Sequence, residues 1–192
     1  DRNSSFLKGA SKAPPLIMQE FHSESSNLFT ESGIDLGKKN HFIYNECLEI
    51  NSQKNEFNQI KEAINKELKN NKPCISLGGD HSITFPIISA YNNYYKRLNI
   101  LHFDAHPDLY QNFENNPYSH ASPFARIMES NLVKSLTQVG IRTMNSHQKL
   151  QTEKYGVKVV PMSEFSSTIE FDFDGPIYIS IDLDALDPAY AS

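Results

Sequence analysis

The chain has 192 residues, of which 39% are hydrophobic and 21% charged, and it carries a net charge of −5 with a pI near 5.8. This composition predicts one globular domain with a sizeable core and excludes a disordered chain. The acidic balance argues against nucleic acid or an anionic membrane as the main partner, because both call for a basic surface. With only Cys47 and Cys74 and no apolar stretch long enough to cross a bilayer, we expect a cytoplasmic protein.

Short apolar runs alternate with longer amphipathic ones, which predicts an α/β fold with a mainly parallel sheet. In chain order, the predicted strands are 74–77, 99–103, 137–141, 157–160 and 177–183. Helical spacing predicts helices near 57–68, 85–96, 123–129 and 145–155, the last one closed by Gly156. The polar segment 111–122 is expected to be a loop directly after a strand, where open α/β sheets place their ligands.

Six residues of metal-binding type follow three of the predicted strands: His81, Asp104, His106, Asp108, Asp182 and Asp184. In an extended chain every second side chain points the same way, so the alternating aspartate and histidine residues share a face. The glycine pair Gly78-Gly79 allows a sharp turn and close packing, so that His81 can face the same crevice. The sequence therefore predicts a metal site at one edge of the sheet.

The ligand types indicate which metal this site would hold. Four aspartates packed together would repel one another, whereas two divalent cations balance their charge. Oxygen ligands with two imidazoles and no thiolate favour manganese, magnesium or iron(II) over structural zinc, and the imidazoles disfavour magnesium. We therefore expect two Mn²⁺ ions per chain. Such a pair would lower the pKa of a bridging water and present hydroxide to an electrophilic carbon, which predicts a hydrolase.

Three motifs stand at the ends of predicted strands: GGDHS at 78–82, DAHPD at 104–108 and SIDLDALDP at 180–188. In order and spacing they resemble the signatures of the ureohydrolase family, which includes arginases, agmatinases and formimidoylglutamases. The resemblance spans nearly the whole chain, and segments 101–104 and 118–126 resemble the agmatinase branch most. It implies a three-layer αβα sandwich with an arginase-like fold. It also implies a dinuclear manganese site whose bridging hydroxide attacks the guanidinium carbon of a small cationic substrate, releasing urea and an amine.

The same resemblance implies roles for individual residues. By motif position two carboxylates would bridge both ions, Asp104 and Asp182. His81 and Asp108 would complete the first ion, and His106 and Asp184 the second. His120 matches a loop histidine that moves protons or orients the substrate, and imidazole chemistry suits a leaving amine that needs a proton. The alternative for His120 is a loop histidine that only satisfies local backbone groups.

Other polar residues near the motifs receive supporting roles. Asp80 is expected to be a hydrogen-bond acceptor behind the ligands, and Asp187 a turn residue. Arg142 could pair with a carboxylate near the cleft, or serve packing or an oligomer contact. His102 is expected to be a core histidine on the face away from the ligands, and Glu114 a solvated loop charge that could instead attract a cationic substrate tail.

In the family that the motifs resemble, a strand precedes the segment that begins here at Asp1, and the glutamate that receives the guanidinium group follows Ser192. We therefore expect residues 1–192 to form a single but incomplete domain with exposed sheet edges. The resemblance also implies a homo-oligomer, trimeric or hexameric. Alternatives are an arginase or another guanidino or formimino hydrolase, a non-catalytic interaction protein that keeps the fold, and an amide hydrolase with a single zinc.

Overall fold

The computed structural model describes residues 1–38, 47–51 and 53–190. These residues form a sheet of four parallel strands in the order β3-β2-β1-β4. The strands are β1 (Asn99–Phe103), β2 (Ser135–Ile141), β3 (Lys158–Pro161) and β4 (Ile177–Ile181). The predicted α/β class and parallel sheet are confirmed, and four of the five predicted strands form within two residues of their expected bounds.

Helices precede and connect the strands: α1 (Ala13–Phe21), α2 (Glu56–Lys69), α3 (Thr84–Tyr91), α4 (Pro123–Glu129) and α5 (Ser146–Tyr155). Asn55 caps the start of α2, because its side chain accepts a hydrogen bond from the Asn58 N–H at 3.0 Å. α5 begins with a capping box between Asn145 and Gln148 and ends at Gly156, which has the left-handed φ of 61° that glycine allows. The sequence did not predict α1. No helix in the described part of the chain is both long and apolar enough to span a membrane.

The hydrophobic core lies between one face of the sheet and helices α2, α3 and α4. Ile100 of β1 and Leu136 of β2 are at most 1% exposed, and they pack in one cluster with Ile88 of α3 and Phe124 of α4. Burying each such side chain contributes about 1.5–3 kcal/mol relative to leaving it in water. This core holds β1 at the centre of the sheet and thereby sets the position of the residues that follow it.

The predicted strand at 74–77 does not form. The segment is held by a side chain instead of a strand ladder: the Cys74 N–H donates to Tyr91 Oη at 3.2 Å, and Ile75 and Leu77 are 75% and 41% exposed. Its apolar run suggested a strand, but a strand also needs a neighbour to pair with, and no described strand lies beside this segment.

The outer edge of β4 is also unpaired among the described residues. β4 pairs with β1 on one side only, and its Ile177, Ile179 and Ile181 are 47%, 57% and 66% exposed. Exposed isoleucines on an open edge strand are the arrangement that promotes association with another strand. The exposed edges expected from the sequence are therefore present in the described chain.

Candidate metal centre

The six predicted ligands lie together at the carboxyl ends of β1 and β4, beside the turn that precedes α3. β1 and β4 are paired with Phe103 opposite Ile181, so the residues that follow the two strands are neighbours. The Asp182 N–H donates to Phe103 O at 2.9 Å, and the Ala105 N–H donates to Asp184 Oδ1 at 3.0 Å. The parallel register therefore brings the two aspartate-containing motifs into contact.

One half of the site is buried and is centred on His81. Its Nδ1 lies 3.0 Å from Asp108 Oδ2, 3.3 Å from Asp104 Oδ2 and 3.6 Å from Asp182 Oδ2. The side chains of His81, Asp104 and Asp108 are 8%, 1% and 10% exposed. The other ring nitrogen, Nε2, is 3.0 Å from Ser180 Oγ, which fixes the orientation of the ring.

The other half of the site is open and is centred on His106. Its Nδ1 lies 2.9 Å from Asp184 Oδ2 and 3.5 Å from Asp104 Oδ1, and the His106 and Asp184 side chains are 46% and 44% exposed. Asp104 thus turns one carboxylate oxygen toward each imidazole. This is the position that a carboxylate shared by two cations would take.

The electrostatics of the buried half point to a shortage of positive charge. Burial, together with the negative charges of Asp104 and Asp182, raises the pKa of Asp108 to about 6 against the opposing hydrogen bond from His81. Burial also raises the pKa of Asp182. Burial alone would lower the pKa of His81, but its hydrogen bonds to Asp104 and Asp108 outweigh it and raise the pKa to about 10. The carboxylates therefore favour a cation among them.

Burial and hydrogen bonding also compete in setting the pKa values of His106, in the open half, and of Asp104, between the halves. Hydrogen bonds to Asp104 and Asp184 raise the pKa of His106 to about 10. Burial works to raise the pKa of Asp104, but hydrogen bonds from three histidines hold it well below its usual range. Asp104, His106 and Asp184 each offer a ligand atom within 4.8 Å of the others. Carboxylate oxygens and imidazole nitrogens without sulfur fit divalent cations such as manganese.

His102 corrects one expectation from the sequence. It lies on the same side as the ligands, because residues two apart in a strand share a face. Its Nε2 is 2.8 Å from Asp104 Oδ2, its Nδ1 is 3.1 Å from Gln138 Nε2, and its ring is fully buried against Phe124. Burial, supported by the nearby His81, lowers the pKa of His102 to about 4. The neutral ring therefore accepts from Gln138 and donates to Asp104, which orients the shared carboxylate.

The supporting residues take well-defined places. Asp80 is buried and its side chain accepts from the Ser82 N–H at 3.0 Å, as expected for a residue behind the ligands. Asp187 accepts from the Ala189 N–H in a turn. Among the described residues Arg142 pairs with no carboxylate. Its guanidinium donates to three backbone carbonyls, those of residues 184–186, and so holds the turn that carries Asp184.

The glycine pair packs closely, as the sequence predicted. A Cβ added to Gly78 would lie 1.9 Å from Ile83 Cδ1, and one added to Gly79 would lie 3.0 Å from the backbone nitrogen of Ser11. The glycine pair is therefore packed between Ile83, in the turn that carries His81, and the N-terminal segment at Ser11.

His120 lies in the loop between β1 and α4, and its ring is partly buried. Its hydrogen bonds within the described chain go to Asn3 and Ser119, and the edge of Phe113 packs against the ring. Glu114, in the same loop, is exposed with a φ of 51°, in keeping with a solvated turn. The contact with Asn3 has no counterpart in the sequence prediction, since the two residues are 117 positions apart.

A family model described as the arginase family matches residues 1–192. The chain belongs to the arginase family. Over 98% of its length it is 38% identical to an arginase from Glycine max, and it is 32% identical to an N(1)-aminopropylagmatine ureohydrolase from Thermus thermophilus. The solved structure of the Medicago truncatula arginase, 37% identical, covers 84% of this chain and 54% of its own with a TM-score of 0.70. The predicted arginase-like fold is thus confirmed.

This arginase-family chain is shorter than the relatives it matches. The alignments span 59% of the Glycine max protein and 66% of the Thermus thermophilus protein. Residues 1–192 therefore correspond to about 60% of the first of these relatives.

Proposed function

We propose that this chain carries the metal centre of a hydrolase that splits guanidino compounds and uses two Mn²⁺ ions. The observation that supports this most directly is the placement of Asp104 between two imidazoles, with Oδ2 3.3 Å from His81 Nδ1 and Oδ1 3.5 Å from His106 Nδ1. One carboxylate facing two separate ligand groups has a clear use in a site with two cations.

The proposed ligand division follows the two halves of the site. His81 and Asp108 would hold one ion, His106 and Asp184 the other, and Asp104 and Asp182 would be shared. A bound metal pair would supply a water of lowered pKa as nucleophile at neutral pH. Manganese suits this donor set because carboxylates dominate it and both imidazoles are available.

His120 would donate a proton to the amine that leaves when the C–N bond breaks. An imidazole titrates close to neutral pH, so it can both give up this proton and regain it from solvent. The alternative, in which His120 only satisfies backbone groups of its loop, predicts a rate that does not respond to its replacement.

The substrate class is a small cationic guanidino compound, with two leading candidates. Segments 101–104 and 118–126 favour agmatine, as in the agmatinase branch. The higher identity to a protein named arginase, 38% against 32% for the aminopropylagmatine ureohydrolase, favours arginine. A site with several ligand aspartates is compatible with either cation, so the comparison has to be made by turnover.

The test uses the natural full-length protein, stripped of metal and reloaded separately with Mn²⁺ and Zn²⁺. We expect two Mn²⁺ per chain by elemental analysis. We also expect urea release from agmatine or arginine, with guanidinobutyrate and formiminoglutamate as comparison substrates and formamide as the product of the latter. Asp104→Asn should abolish turnover, whereas Asp172→Asn, an exposed aspartate outside the site, should leave it unchanged.

The outcomes separate the alternatives. Two bound Mn²⁺ without any product would support a non-catalytic protein that keeps the fold. A single bound zinc together with amide hydrolysis would support the alternative of a zinc-dependent amide hydrolase. Release of urea that does not depend on Asp104 would show that the described centre is not the reacting site.

A further inference from the structure

The N-terminal segment reaches the catalytic candidate His120 through a single backbone carbonyl. The oxygen of Asn3 lies 2.9 Å from His120 Nδ1 and 3.2 Å from the His120 backbone nitrogen. A carbonyl oxygen accepts hydrogen bonds and has no proton to donate. For this shorter contact to be a hydrogen bond, the proton must reside on Nδ1 of His120. Ser119 Oγ, 3.2 Å from the same nitrogen, then accepts from Nδ1 and does not donate to it.

This contact determines which ring nitrogen can exchange a proton. When neutral His120 keeps its proton on Nδ1, its Nε2 carries a free lone pair; when the ring is protonated, Nε2–H is the acid. In the proposed reaction, the electron pair of the breaking C–N bond takes the proton from Nε2. The ring is then left as the Nδ1–H form that Asn3 O already binds, and solvent restores the Nε2 proton.

Asn3 is itself held by contacts to three other parts of the chain. Its Nδ2 donates to Glu56 Oε1 of α2 at 2.9 Å and to Ser82 Oγ at 3.2 Å. Its Oδ1 accepts from Asn116 Nδ2 at 3.1 Å, and its backbone N–H donates to Asp80 Oδ2 at 3.1 Å. The side chain thus joins the loop that carries His120 to the turn that carries a metal ligand.

We propose that Asn3 is a positioning residue for His120: its carbonyl keeps the Nδ1–H tautomer, and its side chain holds that carbonyl at a constant distance from the metal-site turn. The inference rests on the proton-donor role proposed for His120. A residue that fixes the orientation of a proton donor affects the chemical step more than substrate binding, because a misplaced donor still leaves the binding site intact.

The test compares Asn3→Ala with Ser5→Ala, a change in the same segment at an exposed serine, in the full-length protein loaded with Mn²⁺. We expect Asn3→Ala to lower kcat about 10- to 100-fold, with KM and manganese content within about twofold of the parent. Nitrogen-15 NMR of the His120 ring should show the Nδ1–H tautomer in the parent and in Ser5→Ala, and a mixture of tautomers in Asn3→Ala. Glu56→Ala removes one contact to Asn3 from a partly exposed position and should give a smaller change of the same kind.

A parent protein whose His120 carries its proton on Nε2 would overturn the inference whether or not the enzyme is active. Unchanged kcat in Asn3→Ala and Glu56→Ala would also overturn it. If Asn3→Ala does not fold, unchanged kcat in Glu56→Ala alone has the same meaning. Failure of the proposed function gives a different pattern: turnover that is insensitive to His120→Asn, with the NMR tautomer still responding to Asn3→Ala.

Discussion

The hydrogen bond from His102 to Asp104 should stabilise the fold and tune metal affinity, and replacing His102 by leucine tests both effects. Leucine is close to histidine in volume, so the change removes the polar contacts while leaving the site filled. The His102 side chain is fully buried and its Nε2 lies 2.8 Å from Asp104 Oδ2. A hydrogen bond to a charged group contributes about 1.5–3 kcal/mol, so we expect the metal-free protein to lose about 2 kcal/mol of unfolding free energy.

This loss converts into measurable quantities. For a chain of 150–250 residues, each kcal/mol shifts Tm by about 2–4 °C, so thermal unfolding followed by circular dichroism should show Tm lower by about 4–8 °C. The Asp104 carboxylate also loses the donor that orients it, which should weaken Mn²⁺ binding by about 10- to 100-fold in an isothermal titration. Gln138 Nε2 keeps its hydrogen bond to the backbone oxygen of Pro107 at 2.6 Å, but its other N–H loses its acceptor in a fully buried site, which adds about 1–3 kcal/mol, so the losses given above are lower bounds.

The matched control is His147→Leu. His147 is exposed and its Nε2 accepts from the Gln111 N–H at 3.2 Å, outside the metal centre. We expect this variant to bind Mn²⁺ as the parent does. If His102→Leu binds Mn²⁺ as tightly as His147→Leu and its Tm lies within about 1 °C of that control, the prediction is refuted. The hydrogen bond to Asp104 would then have no positioning role.

Three further changes test other parts of the structure. Asp184→Ala, at a side chain that is 44% exposed, should release the ion of the open half and keep the ion of the buried half. Elemental analysis after dialysis should then find one Mn²⁺ per chain. Loss of both ions would mean that the two halves do not bind independently. Gly78→Ala should destabilise the protein by about 1 kcal/mol in urea unfolding, because its methyl group meets Ile83 Cδ1, and Ile83→Val in the same chain should restore part of the loss. In the 192-residue chain, Ile179→Lys places a charge at a 57% exposed edge position and should reduce association in sedimentation velocity; equal association would rule out this edge as its cause.

The sequence could predict that the six candidate ligands lie together, because the information for this is local. Asp104, His106 and Asp108 alternate directly after a strand, and the second aspartate pair follows another strand, so a parallel pairing alone is enough to bring them together. The same reasoning predicted β1 and α4 at their observed bounds, since each is flanked by residues that mark its start or end. The ligand cluster, β1 and α4 are thus specified by residues close together in the sequence, whatever packs against them.

The remaining features depend on distant partners. The segment 74–77 has the composition of a strand. Whether it forms one depends on a neighbouring strand to pair with, and its own residues do not specify that neighbour. The role of His102 requires Gln138 on β2, which is 36 positions away, and the strand alternation itself would have placed His102 beside Asp104. The contact between Asn3 and His120 has no local signature, because polar residues near a glycine-rich turn are common.

The pairing of β1 with β4 has a consequence for the order in which the molecule assembles. His106 and Asp184 are 78 positions apart, so the open half of the centre forms only after β4 has emerged during synthesis and docked. Closing so long a loop is entropically unfavourable and slows folding, because no contact repays it until the strands meet. His81 and Asp108 are only 27 positions apart and can meet earlier. The contact between His81 and Asp108 can therefore form before β4 docks, whereas Asp182 and the open half join only with β4.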